Sequence, residues 1–155
     1  MASADPATVL QLSELGDHVG KHLGYSSWHL VDQDQINRFA DATGDHQWIH
    51  VDAERAAAGP FGTTIAHGYF TLALTPVCLF EILRVEGARM VVNYGLNKVR
   101  FPAPVPSGSR VRMGAELSGI EEIAGGVQLT ITGTYEVEGQ AKPACVAEIL
   151  FRYYS

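Results

Sequence analysis

The chain has 155 residues, of which 46% are hydrophobic and 18% are charged. This length and composition fit one compact domain with a substantial core, and they exclude a disordered chain or two ordinary domains. The formal net charge of −6 disfavours nucleic acid as the main partner, because phosphate binding needs clustered Lys and Arg.

The N-terminal stretch MASADPATVL has no basic segment followed by an apolar one, so we expect no signal peptide. We expect about residues 1–12 to form a loose tail. The most apolar stretch, YFTLALTPVCLFEIL, is too short to predict a membrane span. Cys78 and Cys145 lack metal-site spacing and are expected as reduced core thiols. We therefore expect a cytoplasmic protein with no membrane partner.

Helices are predicted in the first half of the chain. DQDQINRFADATG predicts a helix capped by Asp32 or Asp34 and stopped by Gly44. DAERAAAG predicts a short helix capped by Asp52. A longer apolar helix is predicted over about residues 67–83, with a kink or a shifted start at Pro76.

Four β-rich segments follow Gly87, separated by the turn signals PAPVPSG, AGG and EGQAKP. Helices followed by a meander of long strands predict an α+β domain. In such a domain a mostly antiparallel sheet packs on the apolar helix. No internal repeat or linker indicates a second domain, so residues 1–155 are expected to form one.

The segment GDHQWIH places Asp45 five residues before His50, just past a predicted helix end. These two residues would not share a helix face, but in a turn they can converge. Taken alone, Asp45 and His50 are explained by a polar turn and an imidazole whose hydrogen bonds are made within the protein. Gly68, at the start of the apolar helix, adds an amide that can polarise a carbonyl oxygen. An acid, an imidazole and such an amide together suit water addition beside a carbonyl.

The segment FADATGDHQWIHVDAERAAAGPFGTTIAHGY resembles the hydratase motif of MaoC-like (R)-specific enoyl-CoA hydratases, including the nodulation-protein-N-like branch. The family pattern is roughly G-D-x-N-P-[LIV]-H, followed by a loop ending in HG. NYGLNKVRFPAPVPSGSRVR is similar to a strand, Pro-rich turn and strand of the same family. The resemblance covers about residue 25 to the C-terminus. It implies a hot-dog fold, in which a curved antiparallel sheet wraps a long central helix, usually paired into homodimers.

The resemblance also implies roles for individual residues. Asp45 and His50 match the catalytic acid–base pair, and Gly68 matches the glycine whose N–H binds the thioester oxygen. Gln47 and Trp48 stand where the family usually has Asn and Pro, so Trp48 is expected to narrow or reshape the acyl channel. The implied reaction is hydration of trans-2-enoyl-CoA to the (R)-3-hydroxyacyl thioester.

Two other functions stay open. Hot-dog thioesterases usually carry an acid on the central helix, where this chain has none before Glu81. A non-catalytic acyl-thioester-binding subunit would keep the motif as a relic. Gln47, Trp48, His67 and Arg100 are weaker substrate-binding candidates. His67 is more simply explained as a structural anchor of the helix start, and Arg100 could lie near the coenzyme A phosphates. Because the family resemblance implies no metal, we expect none, and no cofactor apart from coenzyme A as the substrate carrier.

Overall fold

The computed structural model describes residues 6–155. Strand β1 (Thr8–Gln11) pairs in parallel with β4 (Leu83–Glu86), and Leu10 of β1 is buried. The expectation of a loose tail is therefore wrong from residue 8 onward, because this segment buries an apolar side chain and has main-chain partners. Residues 1–5 of that expected tail lie outside the described residues. A 3₁₀ helix (Leu12–His18) follows β1.

Six further strands form one antiparallel sheet. These strands are β2 (His22–Tyr25), β3 (His29–Val31), β5 (Met90–Arg100), β6 (Ser109–Ile123), β7 (Gly126–Val137) and β8 (Cys145–Tyr154). The order is β2-β6-β7-β8-β5, and β3 also pairs with β6. Register shifts interrupt the β5–β8 and β6–β7 pairings, and such irregularities bend and twist strands. The predicted meander of four long strands is thus present as β5 to β8.

The helices lie between β3 and β4. They are α1 (Gln33–Thr43), α2 (Trp48–Val51), α3 (Ala53–Ala57), α4 (Gly68–Ala73) and α5 (Thr75–Ile82). The end signals of α1 are confirmed: the Asp32 carboxylate accepts from the Gln35 amide at 2.9 Å, and Gly44 adopts φ 82°. No helix within residues 6–155 is both long and apolar enough to cross a membrane.

The central helix is divided into α4 and α5 at Leu74, and Pro76 lies in the first turn of α5. The predicted interruption of this helix at Pro76 is therefore confirmed. Pro76 has no N–H to donate to the carbonyl of Leu72, four residues earlier. The Thr75 hydroxyl donates to that carbonyl instead, at 2.5 Å, and the Tyr135 hydroxyl from β7 bonds to Thr75. A side chain therefore satisfies the carbonyl that proline leaves free, and it ties the break to the sheet.

The sheet wraps α5, which is the hot-dog arrangement. Cys78, Leu79 and Ile82 of α5 are fully buried. They belong to one cluster with the inward-facing residues of β6, β7 and β8, where burial alternates along the strands. Both cysteines are free and buried, as predicted. The shorter α4 is left at the sheet margin, where its first turn faces a cavity.

Candidate active site

A cavity of about 490 Å³ opens where the loop after α1, α2 and the start of α4 meet. Its lining is Phe39, Thr43, Asp45, His50, His67, Gly68, Tyr69 and Phe101. The structure thus brings together Asp45, His50 and Gly68, which are separated by up to 23 residues in the sequence. Aromatic side chains supply most of the remaining wall.

His50 is buried, and its ring orientation is fixed by a main-chain contact. Nδ1 lies 2.7 Å from the carbonyl oxygen of Ile65. A carbonyl oxygen only accepts, so Nδ1 carries the hydrogen and the neutral ring keeps its lone pair on Nε2. The main chain of His50 is also held, since Gln33 Nε2 of α1 donates to its carbonyl at 2.7 Å. The site therefore presents a pre-oriented proton acceptor.

His67, the residue before α4, is buried beside His50. The two imidazole rings are stacked with centroids 3.8 Å apart and an angle of 22° between their planes. His67 Nε2 lies 2.9 Å from the main-chain oxygen of Asp45 and donates to it. This contact joins the start of α4 to the loop that carries Asp45.

The Asp45 carboxylate is the exposed member of the set, with 55% of its side chain accessible. Its Oδ1 accepts from the main-chain N–H of Gln47 at 3.3 Å, and its own N–H lies 3.4 Å from Thr43 Oγ1. Gln47 therefore contributes its backbone to the loop, while its side chain is exposed. An accessible carboxylate beside a buried imidazole can hold a water molecule between them.

Gly68 begins α4 beneath Phe101. Among the described residues, none accepts a hydrogen bond from the Gly68 or Tyr69 amide. The carbonyl of Ile65, which a longer helix would offer to Tyr69, is used by His50. A Cβ at Gly68 would lie 3.1 Å from the Phe101 ring, so only glycine fits without moving Phe101. The Gly68 N–H is thus available to a ligand oxygen.

Asp45, His50 and His67 also form a possible metal-binding group, because each offers one ligand-type atom within 4.8 Å of the others. No metal was predicted from the sequence, and this convergence of Asp45, His50 and His67 is produced by the fold. Each histidine already donates one ring hydrogen to a carbonyl, an arrangement that suits either a water-activating pair or metal ligands. The absence of a metal stays a prediction.

Several candidates lie elsewhere. Trp48 does not line the cavity: its ring packs on Gly59 and under the Arg55 guanidinium, 4.4 Å from the ring centroid. The Trp48 ring is directed towards α3, and a role of Trp48 in shaping the acyl channel stays a prediction. Arg100 ends β5 and bonds to the carbonyl of Val99 at 2.7 Å, outside the lining.

Two further polar groups have partners outside the cavity. The Glu81 carboxylate accepts from Ser27 N and Oγ and lies 3.0 Å from His29 Nε2, so it is absent from the cavity. His46 points away from His50, to Asp41 at 2.9 Å, and this hydrogen bond raises the pKa of the His46 imidazole. Neither residue is placed to act on a ligand in the cavity.

Sequence reasoning missed several wall residues. Phe39, which is half-buried, and Tyr69, which is 72% exposed, line the cavity but were not predicted as site residues. Thr43 and Phe101 were not predicted either. Phe101 follows β5 and precedes Pro102, which favours an extended backbone there. No local signal connects it to Gly68, more than 30 residues earlier.

Comparisons with known proteins agree with this arrangement. The family model described as MaoC like domain matches residues 14–140. The chain is 58% identical over 147 residues to 3-hydroxyacyl-thioester dehydratase Z of Mycobacterium tuberculosis, covering 94% of this chain and 97% of that protein. It is 45% identical over 141 residues to nodulation protein N of Rhizobium meliloti, covering 89% and 88%.

The structure is also similar to the unliganded R-hydratase PhaJ1 from Pseudomonas aeruginosa, with a TM-score of 0.71. The match covers 88% of this chain and 82% of that chain at 22% sequence identity. At this identity the likeness establishes the fold, and the chemistry has to be argued from the site.

Proposed function

Since the chain belongs to the MaoC-like dehydratase family and is a hydro-lyase, we propose that it hydrates trans-2-enoyl thioesters to (R)-3-hydroxyacyl thioesters and catalyses the reverse dehydration. Coenzyme A is the proposed carrier. The observation that carries the proposal is the single cavity shared by the Asp45 carboxylate, the His50 imidazole and the free Gly68 amide.

In the proposed reaction, water lies between Asp45 and His50. His50 Nε2 accepts a proton from the water as its oxygen forms a bond to C3 of the enoyl group. Electron density moves through C2 to the thioester oxygen, which accepts a hydrogen bond from the Gly68 N–H. C2 then takes a proton from the Asp45–His50 pair, so that one water adds across the double bond. The thioester itself stabilises the developing negative charge, and no other cofactor is required.

Acyl-chain selection is proposed to depend on Tyr69. A second cavity of about 360 Å³ lies between the central helix and the sheet, and it shares Tyr69 with the active-site cavity. Its lining is Tyr69, Leu72, Ala73, Thr75, Pro76, Asn93, Leu96 and Ile149. In this proposal a short acyl group occupies the first cavity alone, whereas a longer chain passes Tyr69 to reach the second.

The decisive experiment measures the loss of enoyl-thioester absorbance when the protein is added to crotonyl-CoA and to a longer enoyl-CoA. Chiral analysis of the product follows. Formation of the (R)-alcohol supports the proposal. Release of free thiol without hydration would indicate a thioesterase instead. Binding of the thioester without any reaction would indicate a non-catalytic subunit.

We also propose a homodimer formed through β5, the edge strand of the sheet. Its exposed apolar side chains include Met90, Tyr94 and Leu96. Phe80 of α5 is 55% exposed as well. An edge strand with apolar side chains and unpaired backbone groups is ordinarily covered, and pairing with a second copy covers it symmetrically. The mass in solution tests this: a dimer by light scattering is expected, and Leu96→Lys should shift it towards the monomer.

The proposed location is the cytoplasm, which agrees with two free, buried cysteines. Fractionation of cells that produce the full chain tests this location. Recovery with cytoplasmic marker proteins is the expected outcome.

A further inference from the structure

The ring of His67 has one hydrogen bond and one unpaired nitrogen. Nε2 donates to the main-chain oxygen of Asp45 at 2.9 Å. Nδ1 is buried and has no partner among the described residues. A buried acceptor without a donor is unfavourable for folding. An aromatic ring without nitrogen atoms at position 67 would therefore stabilise the fold as well as the imidazole does.

The surroundings of His67 would accept such a ring. His67 is stacked on His50 and lies 4.9 Å, between centroids, from the Phe39 ring. Phenylalanine has a similar flat shape and packs well against aromatic neighbours. What phenylalanine cannot supply is the hydrogen bond to Asp45. This bond is the only polar contact of the His67 ring with the loop at normal hydrogen-bond length within the described residues.

We propose that His67 is a positioning residue, whose hydrogen bond to the Asp45 main chain and stack on His50 hold the acid and the base at a fixed separation. This inference rests on the hydratase function proposed above. One side chain contacts both members of the pair, Asp45 through its backbone and His50 through its ring. Because Asp45 lies in an exposed loop, its carboxylate has no comparable support from the core.

The test compares His67→Phe with His67→Gln. In His67→Phe we expect kcat for crotonyl-CoA to fall about 10- to 100-fold, because small misplacements of catalytic groups are costly. KM should change little, and Tm should not fall. In His67→Gln the side-chain amide can donate to the same carbonyl, so part of kcat should return. His18→Phe is the matched control: His18 Nδ1 also contacts a main-chain oxygen, that of Glu14 at 3.1 Å, outside the cavity.

A second readout does not depend on activity. Amide hydrogen exchange in residues 44–50 should be faster in His67→Phe than in the parent, since the loop loses its link to α4. Any of three results for His67→Phe would overturn the inference. They are retention of the parent kcat, unchanged exchange in this loop, and a lower Tm that accounts for the lost activity. If the parent hydrates no thioester, the proposed function fails, and the exchange measurement alone decides whether His67 positions the loop.

Discussion

The Phe101 ring packs directly over Gly68. A Cβ at position 68 would lie 3.1 to 3.2 Å from three atoms of that ring. Glycine is thus required at position 68 because a neighbouring ring approaches closely. Backbone conformation is not the reason, since the φ of Gly68 is not positive. The same packing leaves the Gly68 N–H at the cavity, where a carbonyl oxygen can reach it.

We expect Gly68→Ala to lower kcat/KM for an enoyl thioester about 10- to 100-fold, because Phe101 must shift at the position where the thioester oxygen binds. Gly16→Ala is the control, since a Cβ there meets nothing within 4 Å. Steady-state kinetics measure both. Equal activity of Gly68→Ala and the parent would remove Gly68 from the proposed oxyanion contact.

Asp45→Asn and His50→Gln should each lower kcat about 100- to 10,000-fold, the range of positioned acid–base catalysis. Both substitutions keep polar groups of similar size, so the fold should be preserved. Circular dichroism checks this. His46→Gln, which changes the imidazole that bonds to Asp41, should keep the parent activity. Similar rates in all three variants would contradict the assignment of the pair.

Removal of metal ions should leave activity unchanged. Asp45, His50 and His67 could ligate a divalent cation, but the proposed reaction needs only a proton acceptor, a water and an amide. Dialysis against a chelator, followed by the hydration assay and metal analysis, checks this. Activity that disappears with the metal and returns when zinc is added would replace the acid–base mechanism by a metal-assisted one.

Stability should decrease at alkaline pH, because burial raises the pKa of several core groups. The pKa of Cys78 is raised from 9.0 to about 11, and those of Cys145 and Tyr153 are raised to about 12. These groups bind protons more tightly when folded, so their contribution is fully present below about pH 8 and is lost as pH rises through 11. Urea midpoints at pH 8, 9.5 and 10.5 should fall in that order. A midpoint independent of pH would contradict this burial.

Local sequence signals predicted the ends of elements better than the direction of side chains. Asp32 and Gly44 are confirmed as the ends of α1, because capping depends on a few neighbouring residues. The packing of Trp48 against Arg55 of α3 and the position of Tyr69 at the cavity were not predicted, because both depend on contacts between separate elements. The convergence of Asp45 with Gly68 was available from the family resemblance, since no local rule relates residues so far apart.

The break between α4 and α5 offers a last test, in the core. Tyr135 is fully buried, and its hydroxyl bonds to Thr75, which in turn donates to the Leu72 carbonyl. Thr75→Val keeps the side-chain shape but leaves the Tyr135 hydroxyl without a partner, and we expect it to lower the free energy of unfolding by about 1–3 kcal/mol. Thr75→Ser retains the hydroxyl and should lose less. Urea denaturation measures both, and equal stability of Thr75→Val and the parent would show that this hydrogen-bonded chain does not stabilise the helix break.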